Sequence, residues 1–237
     1  MRLSFKTDPK RALESYRENG YFIEEGVLSS RDCEELIKAG MDLPGVKAGD
    51  YRPAMQPHRQ NPGFLKGMCN PEVVRTIEQL VGGKAVGLQT EFFYGKPGVK
   101  GFSNHQDNFF VEAEADTFAS AWIALVDVGP KNGGLIGYPR SHKAGRLPVR
   151  KVAVGTVEGQ DPNANNEESV VPSQYKQVDL IVPKGSAVFI HSQFVHGSRM
   201  NQTKDYRFVL LCTYIRQGAG FRAGRYAQRE PIALQEA

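Results

Sequence analysis

"AVGLQTEFFYG" (Ala85–Gly95) is where the chain changes character. Its valines, threonine and paired aromatics, closed by a glycine, read as a β-strand. Downstream the same texture recurs in "FASAWIALVDV" (118–128), "GLIGYP" (134–139), "KQVDLIVP" (176–183), "SAVFIHS" (186–192) and "RFVLLCTYI" (207–215), each bounded by turn residues. Upstream the pattern is helical. "DPKRALESYRENG" (8–20) opens with Asp8 as an N-cap and Pro9 in the first turn, and stops at Gly20. "VLSSRDCEELIKAG" (27–40) has Ser30 as candidate cap and Gly40 as terminator, and "NPEVVRTIEQL" (70–80) starts from an Asn70 cap beside Pro71. "YFIEEGVL" (21–28) reads as a short strand between the first two helices. Helices followed by a run of strands predict an α+β, mainly β protein. The expected form is a β-sandwich or jelly roll with N-terminal helices packed on one sheet. One domain over 1–237 is the simplest division, with helical support in 1–84, a β core in 85–217 and a polar surface insertion at 143–174.

Composition narrows the function class. With 237 residues, 40% of them hydrophobic and 24% charged, the chain can bury a full core. A net charge of +4 without a polybasic stripe argues against a nucleic-acid partner. No apolar run approaches the roughly 18 residues of a membrane span. Cys33, Cys69 and Cys212 are too widely spaced for a zinc knuckle, and their odd number argues against a disulfide framework. These features predict a cytoplasmic monomer or homodimer that acts on a small molecule. "GAGFRAG" (218–224) has the wrong glycine spacing for a dinucleotide fingerprint and reads as part of a C-terminal tail.

Candidate chemistry lies in "NHQDNFF" (104–110), where His105 and Asp107 are separated by one residue. On an extended segment alternate side chains point the same way, so Gln106 should face away from the pair. Of the other histidines, His58, His142, His191 and His196, a third ligand should come from a late strand returned to the same end. His196, followed by Gly197, is preferred, with His191 as runner-up. Two imidazoles and a carboxylate suit Fe(II) and leave one face of the metal open. A structural zinc site would need a fourth protein ligand. The open face predicts an organic chelator, 2-oxoglutarate, whose distal carboxylate needs a buried cation. Arg207, eleven positions after His196, can supply a two-pronged pair, and Ser198 a hydroxyl. Taken alone, Arg207 could equally be a solvated strand end.

"HQDNFF", "ASAWIALVDVGPKNGGLIGYPRSHK", "VHGSRMNQTKDYRFVL" and, more loosely, "YRENGYFIEEGVLSSRDCEEL" together resemble the phytanoyl-CoA dioxygenase family of Fe(II)/2-oxoglutarate oxygenases. The resemblance implies a cupin-like double-stranded β-helix (jelly roll) with iron on His105, Asp107 and His196, and 2-oxoglutarate on Arg207 and Ser198. It also implies O2 as co-substrate. Gln89 is similar to a position that contacts 2-oxoglutarate or substrate in the family, and Trp122 lies on the family's "AW" strand, as a pocket residue or as core. The reaction implied is hydroxylation of an unactivated C–H bond with release of succinate and CO2. A carboxylate at 107, where halogenating relatives carry a small residue, favors that outcome. A small polar or anionic metabolite is the preferred substrate class, with contacts from Arg52, His58 and Arg59 or from none of these if the loops are merely solvated. His142 reads as a structural residue of a strand end. The competing reading is a cupin-type metal protein that binds ligand without catalysis, or uses its metal as a Lewis acid.

Overall fold

The computed structural model describes residues 3–49, 53–152 and 167–234. Four helices of the N-terminal region carry standard signals. Helix α1 (Pro9–Asn19) is capped by Asp8, which accepts from Arg11 N, and ends on Gly20 at φ 84°. Helix α2 (Ser30–Met41) differs from expectation at both ends. Ser29 is its cap, because Ser29 and Asp32 form a reciprocal capping box that Ser30 cannot make. Gly40 lies inside the last turn, where a Cβ would stand 2.2 Å from the Phe92 ring, so this glycine serves close packing and not termination. One turn, α3 (Pro44–Lys47), leads to α4 (Pro62–Met68), a helix too short for its sequence to show a helical period. Helix α5 (Pro71–Val81) is capped by Asn70, which accepts from Glu72 N and Val73 N.

The strands are β1 (Tyr21–Glu24), β2 (Ala54–Met55), β3 (Ala85–Gly95), β4 (Phe118–Ala124), β5 (Leu135–Gly137), β6 (Val149–Lys151), β7 (Glu167–Ser169), β8 (Val178–Asp179), β9 (Ala187–His191), β10 (His196–Ser198) and β11 (Arg207–Arg216). An antiparallel sheet runs β1-β9-β4-β11-β3-β2, facing a smaller sheet β10-β5-β8. The expected jelly roll is the fold, mainly β, of cupin-like double-stranded β-helix type. Strands β6 and β7 form the base of the polar insertion, and residues 153–166 lie outside the described residues. Among the described residues no helix is long and apolar enough to cross a membrane.

The period of two decides what each strand offers to which side. On β11, Leu210, Cys212 and Tyr214 join Phe64, Met68 and Ile77 of the helices in the larger core. On the opposite face Val209 joins Trp122, Val188 and Phe194 between the two sheets. The odd-numbered residues of β11 therefore point into the barrel, and Arg207, Leu211 and Thr213 reach its cavity. The pairing of β11 with β3 shifts between Thr213 and Tyr214, which skips Leu88. That bulge turns Leu88 and Gln89 both inward: Leu88 packs with Phe118 and Ile215, and Gln89 lines the cavity.

Candidate active site

His105 and His196 are 91 residues apart but paired by a two-hydrogen-bond bridge. His105 N donates to His196 O at 2.7 Å and His196 N to His105 O at 3.0 Å. Asp107 follows directly and begins a single helical turn, α6 (Asn108–Val111), so the segment is not extended throughout. Gln106 nevertheless faces away. Its amide donates to Gly145 O (2.8 Å) and Gln193 O (2.6 Å) and its oxygen accepts from Leu147 N, which ties the motif to the neighboring loops.

One ligand atom from each of His105, Asp107 and His196 lies within 4.8 Å of the others. Both imidazole Nε2 atoms stand 3.6 Å from Asp107 Oδ1. Each Nδ1 faces a carbonyl oxygen, Ser103 O at 2.8 Å and Phe194 O at 3.1 Å. A carbonyl only accepts, so each Nδ1 carries the proton and each Nε2 presents its lone pair to the cluster. Burial first, with His196 next, pushes His105 down to about 4 against the pull of Asp107, and its ring is neutral at pH 7. Ser120 of β4 donates to Asp107 Oδ2 at 2.6 Å, which leaves Oδ1 as the free oxygen. The three side chains are placed so that they could hold a metal ion together.

The triad opens on a cavity of about 640 Å³, within the usual range for small-molecule sites, and Arg207 lines it too. This guanidinium is only 7% exposed and has no carboxylate partner among the described residues. Nη1 donates to Gly133 O at 2.9 Å, Nε has no partner, and the Trp122 ring lies 5.9 Å away. Burial lowers its pKa to about 10. Thr213 Oγ1 and Gln89 Oε1 are likewise buried without partners. Ser198 Oγ accepts from Phe102 N at 2.8 Å and keeps its own proton to donate. Gly197 serves close approach: a Cβ there would sit 2.9 Å from Phe102 O.

A protein-family model for phytanoyl-CoA dioxygenase matches residues 16–209, most of the chain. The chain belongs to the phytanoyl-CoA dioxygenase family. Peroxisomal phytanoyl-CoA dioxygenase of Rattus norvegicus is 25% identical over 93% of this chain and 72% of its own length. The chain spans roughly two thirds of the mammalian relatives it matches. Among solved structures, the carbocyclase SnoK from nogalamycin biosynthesis matches with TM-score 0.74 and 21% identity, over 95% of this chain and 91% of that one. The epimerase SnoN, in complex with Fe3+, alpha ketoglutarate and nogalamycin RO, gives 0.72 and 20%, over 90% and 85%.

Fe(II), 2-oxoglutarate and O2 are the cofactor and co-substrates of the phytanoyl-CoA dioxygenase family, and the residues here fit them. Two imidazoles and a carboxylate fit Fe(II). A buried guanidinium lacking a counter-ion among the described residues, with orphaned polar atoms lining the same cavity, fits the distal carboxylate of 2-oxoglutarate. His191, the alternative third ligand, lies on the helix side of β9, where its Nε2 pairs with Asp116 at 3.1 Å. His142 ties α1, its Nε2 donating to Arg17 O at 2.9 Å. Pro53 and Met55 of the segment before α4 line the cavity, but His58 and Arg59, expected to contact substrate, do not. His58 hydrogen-bonds Thr90 Oγ1 at 2.7 Å and Arg59 binds Gln228 O and Glu230. Arg52 lies outside the described residues. The sequence reading missed Arg222, Arg225, Tyr226 and Arg229, which do line it. The only signal was three arginines in eight residues of an otherwise patternless tail.

Proposed function

We propose that this protein is an Fe(II)- and 2-oxoglutarate-dependent dioxygenase that hydroxylates a C–H bond of a small polar or anionic metabolite, releasing succinate and CO2. One observation carries the reading: a His/Asp/His cluster and a buried, uncompensated arginine share a single cavity. His105, Asp107 and His196 are assigned as metal ligands, Arg207 and Ser198 as the clamp on the distal carboxylate of 2-oxoglutarate, and Gln89 and Trp122 as walls of that subsite. When bound, the metal supplies the oxygen chemistry that couples oxidative decarboxylation of 2-oxoglutarate to attack on a substrate C–H bond.

The protein's part is positioning. The carbonyls of Ser103 and Phe194 fix the tautomer of each histidine, and the Ser120 hydroxyl occupies Asp107 Oδ2 and leaves Oδ1 as the oxygen that would hold the metal. Arg207 orients the co-substrate from the far end, in a site dry enough that its charge is felt strongly. Phe93, Phe102 and Phe110 line the same space and exclude water from it. Anaerobic addition of Fe(II) and 2-oxoglutarate should produce a weak visible charge-transfer band. A featureless spectrum at saturating concentrations of both would reject this function. Because similar folds include an epimerase and a carbocyclase, 18O2 labeling of the product separates hydroxylation from oxidation without oxygen insertion.

A further inference from the structure

The C-terminal segment after β11 returns across the mouth of the cavity and is held there at several points. Gly87 and Ile232 exchange two backbone hydrogen bonds, Gln56 donates to Ala227 O at 2.9 Å, and Arg59 donates to Gln228 O at 2.8 Å. Arg222 and Arg229 donate in turn to the carbonyl of Phe110, in the turn that follows Asp107. The segment thereby becomes a wall of the site and sets three guanidinium groups at its rim.

These arginines are not equally occupied. Arg222 pairs with Glu112 at 3.0 Å. Arg225 makes no hydrogen bond or ion pair among the described residues and only lies 5.9 Å over the ring of Tyr226. Arg229 has backbone carbonyls on Nη1, but its Nε is buried without a partner, and it has no ion pair within the described residues. Glu91 and Asp107 attract it from a greater distance, and Asp107 belongs to the metal. An arginine whose polar atom is buried and unmatched carries a cost that a bound acceptor removes. Around the same opening three large apolar side chains are exposed, Met55 at 38%, Phe110 at 43% and Tyr226 at 77%. Exposed apolar groups gathered at one cavity mouth mark a ligand surface.

We infer that Arg225 and Arg229 bind an oxyanion head group of the primary substrate, whose compact apolar body lies against Met55, Phe110 and Tyr226. The substrate class is then an amphipathic organic anion, a carboxylate or a phosphate ester. The inference rests on the reading that 2-oxoglutarate occupies the Arg207 end, since only then does the rim face a second anion. Arg59 is a positioning residue that fixes the segment bearing both arginines.

The test uses the full chain loaded with Zn(II) and saturating 2-oxoglutarate, which keeps probe anions off Arg207. Saturation-transfer NMR follows 3-phenylpropionate, its neutral amide, and 2-phenylethyl phosphate. At least one of the two anions should bind about tenfold tighter than the amide, and the tighter anion names the head group. Arg225→Gln should weaken that binding about three- to tenfold, as suits a partly exposed charge, and Arg229→Gln about tenfold or more. The response of Trp122 fluorescence to 2-oxoglutarate should be unchanged in both. Arg225 makes no hydrogen bond that the fold needs, so its variant decides the matter should Arg229→Gln fail to fold. Equal binding of anions and amide, no binding of any probe, or undiminished binding by Arg225→Gln overturns the assignment. A wild-type protein whose Trp122 ignores 2-oxoglutarate instead overturns the co-substrate reading, which is scored separately.

Discussion

Replacing Arg207 by glutamine should separate co-substrate binding from folding. The side chain is buried without a counter-charge among the described residues, and burial lowers its pKa to about 10, equivalent to a cost on the order of 3 kcal/mol in the ligand-free protein. Its hydrogen bond to Gly133 O and its contact with Trp122 recover part of that, so Arg207→Gln should leave ligand-free stability close to wild type or slightly above it. Binding should behave oppositely. Removing one partner of a buried charge pair costs about 2–5 kcal/mol, which is a roughly 30- to 5,000-fold rise in Kd for 2-oxoglutarate. Trp122 is the only tryptophan in the chain and lies against this guanidinium, which makes its emission the direct readout. The assay is an anaerobic fluorescence titration of the metal-loaded protein with 2-oxoglutarate, paired with thermal unfolding with and without ligand. Wild type should gain about 2.7 kcal/mol at a hundredfold excess over its Kd, and the variant at the same concentration no more than about 0.9 kcal/mol. Equal affinity in the two proteins would refute the assignment of the subsite. A collapse of the ligand-free variant would refute the claim that the charge is uncompensated.

Further expectations concern the metal, the packing and pH. His105→Ala should abolish specific Fe(II) binding in equilibrium dialysis, and retained affinity would place the metal elsewhere. Ser120→Ala removes the hydroxyl that orients Asp107 and should weaken metal binding about 10- to 100-fold by the same measurement. Gly40→Ala drives a Cβ into the buried Phe92 ring and should lower stability by about 1–3 kcal/mol, seen as a lower urea midpoint at unchanged slope. His142 and His191 are both pushed down chiefly by burial, with Lys143 adding to the effect at His142 and Asp116 opposing it at both. With folded pKa values below the unfolded 6.5, the unfolded chain binds more protons in that interval, so stability is full above about 6.5 and is lost as pH falls through it. Thermal unfolding from pH 7.5 to 5 should show this slope, and His142→Gln should flatten it.

The residues that reach the site were legible to different degrees. His105, Asp107 and His196 could be named because few residue types ligate Fe(II) and their spacing followed a known family pattern. Arg207 could be named from its place at the head of an apolar strand. Gln106 was correctly set apart from the pair, but its three hydrogen bonds to the flanking loops depend on segments far along the chain. Expectations for the substrate end rested on charge, and His58 and Arg59 lie off the cavity although the nearby Pro53 and Met55 line it. Arg59 is consumed by Glu230 and the tail, and the residues at the rim belong to a segment with no periodicity to read. Helix α4 was missed for a related reason. Seven residues are too few to show a helical period, and its burial of Phe64 and Met68 exists only against the sheet.

Local chemistry is what the sequence by itself determined. Asp8, Asn70 and the terminal glycines set helix ends, because caps satisfy backbone groups within three or four residues. The two-residue period of β11 determined that Arg207 shares a face with Val209, Leu211 and Thr213, because successive side chains must alternate. Tertiary structure alone decided which residues meet. His196 joins His105 and Asp107 through a backbone bridge across 91 positions, while His191, five residues earlier, falls on the other face of the sheet. It also decided that the tail becomes the rim of the cavity. Such convergence is a property of sheet register and chain closure, which no window of neighboring residues contains.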